Sequence, residues 1–284
     1  MDLNISDNDN MIKYHVMATK YNNKDALNKL IKYYKDNENY EKMKKYYLMA
    51  IDLGDVDAMY SLAKYYRYSK NYEEMKKYYL MAIDFGDIDA MKNLAKYYKV
   101  NENYEEMKKY YLMAIDLGDV GAMYSLADHY KDDENYEEMK KYYLMAINLG
   151  DVDAMKKLAE YYKEEKDYEE MEKYYHMGID LGDVDAMNSL AKYYRYSKKY
   201  EKMKKYYLMA IEKDNSYAMT KLGEYYQSEK NYDLMKKYYL MAIEKGNSDA
   251  MTNLGQYYQS ENNYDLMKQY YLMAIEKDNS ICDD

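Results

Sequence analysis

The stretch AMYSLAKYYRYSKNYEEMKKYYLMAIDFGDID, Ala58–Asp89, decides the fold because close copies of it make up most of the chain. Leucine follows the repeated alanine at an interval of four residues, from Leu30 to Leu254. An internal period of this length is typical of solenoids, propellers and arrays. The alanine recurs at a constant interval of 32 residues, at Ala26, Ala58, Ala90, Ala122, Ala154, Ala186, Ala218 and Ala250.

Hydrophobic spacing within this unit predicts two helices. Apolar residues recur at intervals of three, four and seven residues, which places them on one face of a helix. The first helix is predicted over 56–68 and the second over 72–84. Their stripes are formed by Met59, Leu62, Ala63 and Tyr66 in the first, and by Tyr72, Met75, Tyr79 and Ala82 in the second.

The residues between the two stripes are typical of helix ends. Asp55 and Asn71 are suited to cap the first and second helix, and Glu74 stands three residues after Asn71, as in a capping box. Gly54 is typical of a helix stop. Only short turns remain between the helices, so the repeats read as all-α helix-turn-helix units.

The period divides the chain into a polar leader with an N-terminal capping helix (1–23, helix over 11–21), eight repeats and an acidic tail (280–284). The last helix is predicted over 264–276, with no dedicated capping helix after it. The repeats are 24–55, 56–87, 88–119, 120–151, 152–183, 184–215, 216–247 and 248–279.

The order of these residues resembles the tetratricopeptide repeat, in which Leu-Gly, two Tyr, an aromatic residue and Ala recur across two helices. Leu222-Gly223 and Leu254-Gly255 match its Leu-Gly pair, and the segment Ala82–Tyr98 is similar to the Sel-one-like repeat. The resemblance implies an α-solenoid wound into one continuous right-handed superhelix, in which each repeat borrows its neighbours' surface. The Tyr-, Lys- and Asn-rich composition is also similar to that of repeat proteins of giant DNA viruses.

Composition bounds the function. The formal net charge of −10 argues against a general nucleic-acid or anionic-membrane binder, since both need a positive surface. The single cysteine, Cys282, fits a reducing compartment, and the polar N-terminus lacks the features of a signal peptide. We therefore expect a soluble intracellular protein, in the cytoplasm (of the host, if the source is viral) and encoded by an AT-rich genome.

Catalysis finds little support in the sequence. The three histidines, His15, His129 and His176, lie in different repeat units, and no phosphate loop, nucleophile elbow or metal-ligand spacing occurs. We expect no enzyme activity, no catalytic residues, no metal site and no cofactor. The Tyr-Tyr pairs are predicted to place one ring on the core stripe and its neighbour on the helix flank, which favours packing between repeats over ligand stacking.

Variation among the copies concentrates on one face of the first helix. In the tetratricopeptide family that face lines a concave groove that binds partner peptides, so the resemblance implies a binding surface there. Exposed Tyr and Arg are the natural anchors of such a surface. The candidate partner-binding residues are Tyr60, Lys64, Arg67, Tyr68, Lys92, Lys96, Lys99, Tyr124, Lys131, Lys156, Arg195 and Tyr196.

These residues predict a protein-interaction scaffold whose partner is a protein or peptide with an acidic and apolar segment. Three alternatives stay open. The face could be a solvated surface that drifts freely, the Lys and Tyr rows could bind single-stranded nucleic acid, or copies could self-assemble through the C-terminal end near Leu266. We expect no membrane partner.

Overall fold

A computed structural model describes residues 12–19 and 21–282, and every regular element in those residues is an α-helix. Helix α1 covers 12–19. Helices α2–α17 follow in chain order: Lys24–Asp36, Tyr40–Asp52, Val56–Tyr68, Tyr72–Asp84, Ile88–Val100, Tyr104–Asp116, Val120–Asp132, Tyr136–Asn148, Val152–Glu164, Tyr168–Asp180, Val184–Tyr196, Tyr200–Ile211, Ser216–Ser228, Tyr232–Glu244, Ser248–Ser260 and Tyr264–Cys282.

The chain divides into two compact units, Met1–Tyr142 and Tyr143–Asp284, and the division lies inside α9. Within each unit the two helices of a repeat pack on one another, and the second helix of a repeat packs on the first helix of the next. This is the arrangement that the 32-residue period predicts. A single continuous superhelix over all eight repeats stays a prediction.

The helix ends confirm the predicted boundaries and caps. Helix α4 spans Val56–Tyr68 and α5 spans Tyr72–Asp84. The Asp55 carboxylate accepts a hydrogen bond from the Ala58 N–H at 2.9 Å, and the Asn71 side chain accepts one from the Glu74 N–H at 3.3 Å. Gly86 ends α5 with φ at +82°, a conformation that L-residues with side chains rarely adopt.

The core confirms most of the predicted stripe and corrects one position. Met75, Tyr79 and Ala82 are fully buried. Tyr72, which the spacing placed on the same stripe, is 41% exposed. It stands at the first residue of α5, where its ring lies 5.3 Å from Tyr97 of the next repeat, so it bridges repeats at the edge of the core.

The prediction that each Tyr pair has one buried and one flanking ring is confirmed at Tyr46–Tyr47, where Tyr47 is only half-buried, but was wrong for most second helices. Tyr78 and Tyr79 are both buried. The cause is a stacked partner within the repeat: Tyr78 lies flat against Tyr66 of α4, with ring centroids 5.7 Å apart and planes 5° apart. The same stacked pair recurs in each repeat, as in Tyr34–Tyr46, Tyr98–Tyr110 and Tyr226–Tyr238.

The two ends differ from the predicted boundaries. Helix α17 continues to Cys282, through most of the predicted acidic tail. On α17 Leu266 is half-buried, while Leu272 and Ile275 are exposed. Association of copies through this face stays a prediction. The polar leader (1–7), Met11 and residues 283–284 lie outside the described residues.

Two repeats use glycine where five others use alanine and the first repeat has Ile31. A Cβ placed on Gly223 would lie 2.5 Å from the Tyr239 ring, and one on Gly255 would lie 2.8 Å from the Tyr271 ring. The two rings therefore occupy space that Ala63 or Ala191 fills in other repeats. The Leu-Gly pair in the sequence therefore indicates that the tyrosine ring of the second helix packs differently against the first helix in these two repeats.

Gly223→Ala tests this seating. We expect a net loss of up to about 2 kcal/mol in the free energy of unfolding, because overpacking costs about 1–3 kcal/mol and alanine's helix propensity returns about 1 kcal/mol. Urea denaturation of the full chain measures it. Gly178→Ala is the matched control: its Cβ would lie 3.4 Å from the nearest atom, so the propensity gain should dominate and stability should rise. Equal changes in the two variants would contradict the packing argument.

Candidate interaction surface

We use the name first-helix surface for the exposed and half-buried side chains of α2, α4, α6 and α8 in the first unit, and of α10, α12, α14 and α16 in the second. It holds all twelve predicted site residues, which fall into two groups. One group pairs with other residues of the chain. The other faces outward.

The position that Tyr60 holds in its repeat varies among the copies. In several repeats its side chain contacts the residue that caps the next first helix. Lys92 donates to the Asp119 carboxylate at 3.0 Å and pairs with Asp89 at 3.1 Å. Asp119 also caps α8 by accepting from the Ala122 N–H. Burial lowers the pKa of Lys92, but the bonds to Asp119 and Asp89 outweigh it and raise the pKa above its ordinary value.

Lys92, Asn188 and Thr220 bond directly to the cap that follows them, whereas Tyr60 bonds to Asn93. Where the next cap is asparagine, the partner is neutral: Asn188 donates to Asn215 at 3.2 Å, and Thr220 donates to Asn247 at 3.1 Å. Lys156 pairs with Asp153 and with Asp185 of the next repeat. Variation that the sequence analysis assigned to a partner therefore also follows a contact between repeats.

Both arginines of the chain are engaged across a repeat boundary. Arg67 donates to the Asn93 Oδ1 at 3.1 Å, and Asn93 donates to the Tyr60 hydroxyl at 3.1 Å. Arg195 pairs with Glu224 at 3.0 Å. Asn93 and Glu224 were missed by the sequence analysis, although their repeat positions alternate among Ser, Asn, Lys and Glu and could have indicated a contact partner for Arg.

The outward group consists of lysines and tyrosines. Tyr68 is 82% exposed and Tyr196 is 75% exposed. Lys64 lies over the Tyr60 ring at 5.3 Å. Tyr124 is half-buried and makes contacts of its own. Among the twelve predicted site residues, the lysines that form no ion pair within the described residues are Lys64, Lys96, Lys99 and Lys131.

Two cavities open on this surface, one in each unit. The first holds about 560 Å³ and is lined by Lys35, Tyr40, Met43, Tyr47, Ser61, Lys64, Tyr65, Tyr68 and Ser69. The second holds about 380 Å³ and is lined by Lys192, Arg195, Tyr196, Tyr207, Tyr217 and Lys221. Neither lining contains a carboxylate, so both cavities combine positive charge with aromatic walls.

The histidines serve packing roles. His129 takes the place that Tyr97 holds in another repeat, is buried, and stacks on Tyr104 with centroids 5.1 Å apart. His176 makes a 2.7 Å hydrogen bond with Tyr206. His15 lines a small cavity against α2. None of the three lies beside another histidine.

Comparison with known proteins identifies the repeats. Residues 56–85 and 248–279, in the second and eighth repeats, match the tetratricopeptide repeat family. No curated protein matches the chain. None of the described helices is long and apolar enough to cross a bilayer.

Solved structures share the fold. One is a protective antigen present in uropathogenic Escherichia coli strains that displays an SLR fold; the TM-score is 0.55 at 20% identity, and the match covers 94% of this chain but only 64% of the antigen. Another is the C-terminal part of a TPR repeat-containing protein from Cytophaga hutchinsonii, with a TM-score of 0.51 at 14% identity over 78% of this chain and 95% of that one. A Sel1 repeat protein from Oxalobacter formigenes reaches 0.48 at 20% identity over 76% and 98%.

The contact between Lys92 and Asp119 can be tested by exchanging it for the Thr-Asn pair of the seventh repeat. We expect Lys92→Thr and Asp119→Asn each to lower the free energy of unfolding, because each leaves a half-buried polar group without its charged partner. The double variant should recover a coupling of about 1 kcal/mol in urea denaturation. Strict additivity of the two single changes would show that the pair contributes nothing.

His129 makes stability depend on pH. Burial is the largest influence on its pKa and lowers it below the ordinary value, against the opposing charge of Asp133. Below about pH 6.5 the imidazole of His129 therefore binds a proton more readily in the unfolded chain than in the folded chain. Stability falls as the pH drops for this reason. His129→Tyr should lose less stability than the parent between pH 7.5 and pH 5.5. Equal losses would mean that His129 titrates alike in both states.

Proposed function

We propose that this α-solenoid of tetratricopeptide and Sel1-type repeats is a non-enzymatic scaffold that binds an acidic and apolar segment of another protein on its first-helix surface. One observation carries the proposal: the two cavities of that surface are lined by lysine, arginine and tyrosine without a carboxylate. A chain with a net charge of −10 that gathers an excess of cations over carboxylates in two places has a surface suited to an acidic ligand.

The chemistry of the outward group supports a protein partner. A tyrosine gives a large, rigid contact area and a hydroxyl at its tip, which is why it is frequent in interface hot spots. Tyr68 and Tyr196 each stand at the last residue of a first helix, beside Lys64 and Lys192 one helical turn earlier. Each pair offers an apolar face and a cation to the same ligand segment.

The groups that could perform catalysis are occupied by packing. His129 stacks on Tyr104, and His176 bonds to Tyr206. A binding role, with no catalytic step, is therefore part of the proposal. A cytoplasmic location belongs to the same proposal.

Exchange of the outward residues tests the function. The binding variant carries Lys64→Ser, Tyr68→Ser, Lys192→Ser and Tyr196→Ser. The control variant carries Lys77→Ser, Leu80→Ser, Lys205→Ser and Leu208→Ser, which removes as many lysines and apolar side chains from exposed positions on second helices. The parent and both variants are crosslinked in extract of the source cells, and captured proteins are identified by mass spectrometry.

We expect the binding variant to lose its specific partners while the control retains them, with equal helicity in circular dichroism. Partners lost equally from both variants, or retained by both, would contradict the first-helix surface as the binding site. Capture that depends on RNA and falls steeply with salt would instead support the nucleic-acid reading.

A further inference from the structure

The buried tyrosine near the middle of each second helix differs among repeats in how its hydroxyl is satisfied. The Tyr239 hydroxyl donates to Gln227 at 2.8 Å, and the Tyr271 hydroxyl donates to Gln259 at 3.3 Å. In three other repeats a serine of the next repeat is the hydrogen-bonding neighbour, in the pairs Tyr47–Ser61, Tyr111–Ser125 and Tyr175–Ser189. A buried hydroxyl without such a partner is costly, so this position is under constraint.

Tyr79 and Tyr207 break the pattern. Their rings are fully buried, and within the described part of the chain neither hydroxyl has an acceptor for its proton; Arg67, which lies beside the Tyr79 hydroxyl, offers donors only. They belong to the two repeats that carry the chain's only arginines, Arg67 and Arg195. In both repeats arginine stands where Gln227 and Gln259 supply the acceptor elsewhere.

The neighbours of the Tyr207 hydroxyl are mostly hydrogen-bond donors. Arg195 and Lys221 have hydrogen-bond donors only. Glu224 is the nearby acceptor, but its Oε2 already pairs with Arg195 at 3.0 Å and its Oε1 with Lys221 at 2.6 Å. Burial raises the pKa of Tyr207, so its hydroxyl keeps its proton and needs an acceptor.

Tyr207 lines the second cavity, of about 380 Å³, together with Arg195 and Lys192, and its hydroxyl lies buried behind the cavity wall. After burial, the groups that act on the pKa of Tyr207 through their charge are Tyr217, Arg195, Glu224 and Tyr196. Three cations, Lys192, Arg195 and Lys221, face the single carboxylate of Glu224. The cavity thus presents an excess of donors and positive charge around an unsatisfied buried hydroxyl.

We propose that this cavity binds a carboxylate group, which accepts hydrogen bonds from the Tyr207 hydroxyl and from the Arg195 N–H groups that Glu224 does not use. Arginine binds carboxylates through paired, charge-assisted hydrogen bonds. Glu224, held between Arg195 and Lys221, shows that these cations already accommodate that group. The inference deepens the proposed function, on which it rests for the case that the carboxylate is an acidic side chain of a partner.

Two arginines in the chain make a direct titration feasible. Protein labelled with ¹⁵N-arginine gives two side-chain Nε–H signals, which Arg67→Gln and Arg195→Gln assign. Sodium acetate, succinate, inorganic phosphate and an end-capped Glu-rich peptide are titrated against sodium chloride at equal ionic strength. We expect acetate, unlike chloride, to shift the Arg195 signal saturably.

Tyr207→Phe should weaken acetate binding at Arg195 about tenfold or more, the effect of losing one hydrogen bond to a charged group, and leave the Arg67 signal unchanged. Tyr271→Phe is the matched control, because its hydroxyl is already bonded to Gln259 in another repeat. It should leave the Arg195 titration as in the parent. Circular dichroism of both variants confirms that they fold.

The different ligands distinguish the possible sources of the carboxylate. A peptide that binds more tightly than succinate supports an acidic side chain as the source, and the reverse supports a free small carboxylate. Identical shifts with acetate and chloride, a response to phosphate alone, or a Tyr207→Phe titration equal to the parent's would overturn the carboxylate site. Partner capture that persists while this titration fails would overturn the site and leave the proposed function standing.

Discussion

Each repeat of this protein can bury its two helices only by contact with its neighbours, and the rest of the structure depends on this constraint. A pair of 13-residue helices has too little surface to enclose its own core. Stability therefore depends on the junctions, where the cap of one first helix meets the side chain of the preceding one. The same junction is made by an ion pair in one repeat, Lys92 with Asp119, and by a neutral hydrogen bond in another, Thr220 with Asn247.

Tyrosine meets this constraint unusually well. Stacked pairs such as Tyr66–Tyr78 join the two helices of a repeat, and edge rings such as Tyr72 join it to the next. Methionine fills the remaining space, as Met75 and Met107 do at full burial. The hydroxyls that accompany so many buried rings must then find partners. Where the partner is Gln227, the hydroxyl is satisfied within the protein. Where an arginine replaces the glutamine, as beside Tyr207, we propose that a ligand supplies the missing acceptor.

Sequence reasoning predicted the fold because its information is local and repeated. Spacing predicted the two helices of the second repeat to the residue, and the caps at Asp55 and Asn71 followed from side-chain chemistry. It placed Tyr72 in the core and Tyr78 on the flank because a helical stripe says nothing of the ring that stacks from the neighbouring helix. Variation at Lys92, Lys156 and Arg195 indicated importance but not its cause: pairing across a repeat boundary is visible only when the repeats are set side by side. The orphaned hydroxyl of Tyr207 has no sequence signature apart from the arginine at Arg195.

The central claim is that the outward lysines and tyrosines of the first helices, and not the second helices, meet the partner. Lysine-reactivity footprinting of the intact protein, free and in extract of the source cells, tests it most directly. The account predicts slower acetylation of Lys64 and Lys192 in extract, with the rates at Lys77 and Lys205 unchanged. Protection at Lys77 and Lys205 with none at Lys64 and Lys192 would contradict it.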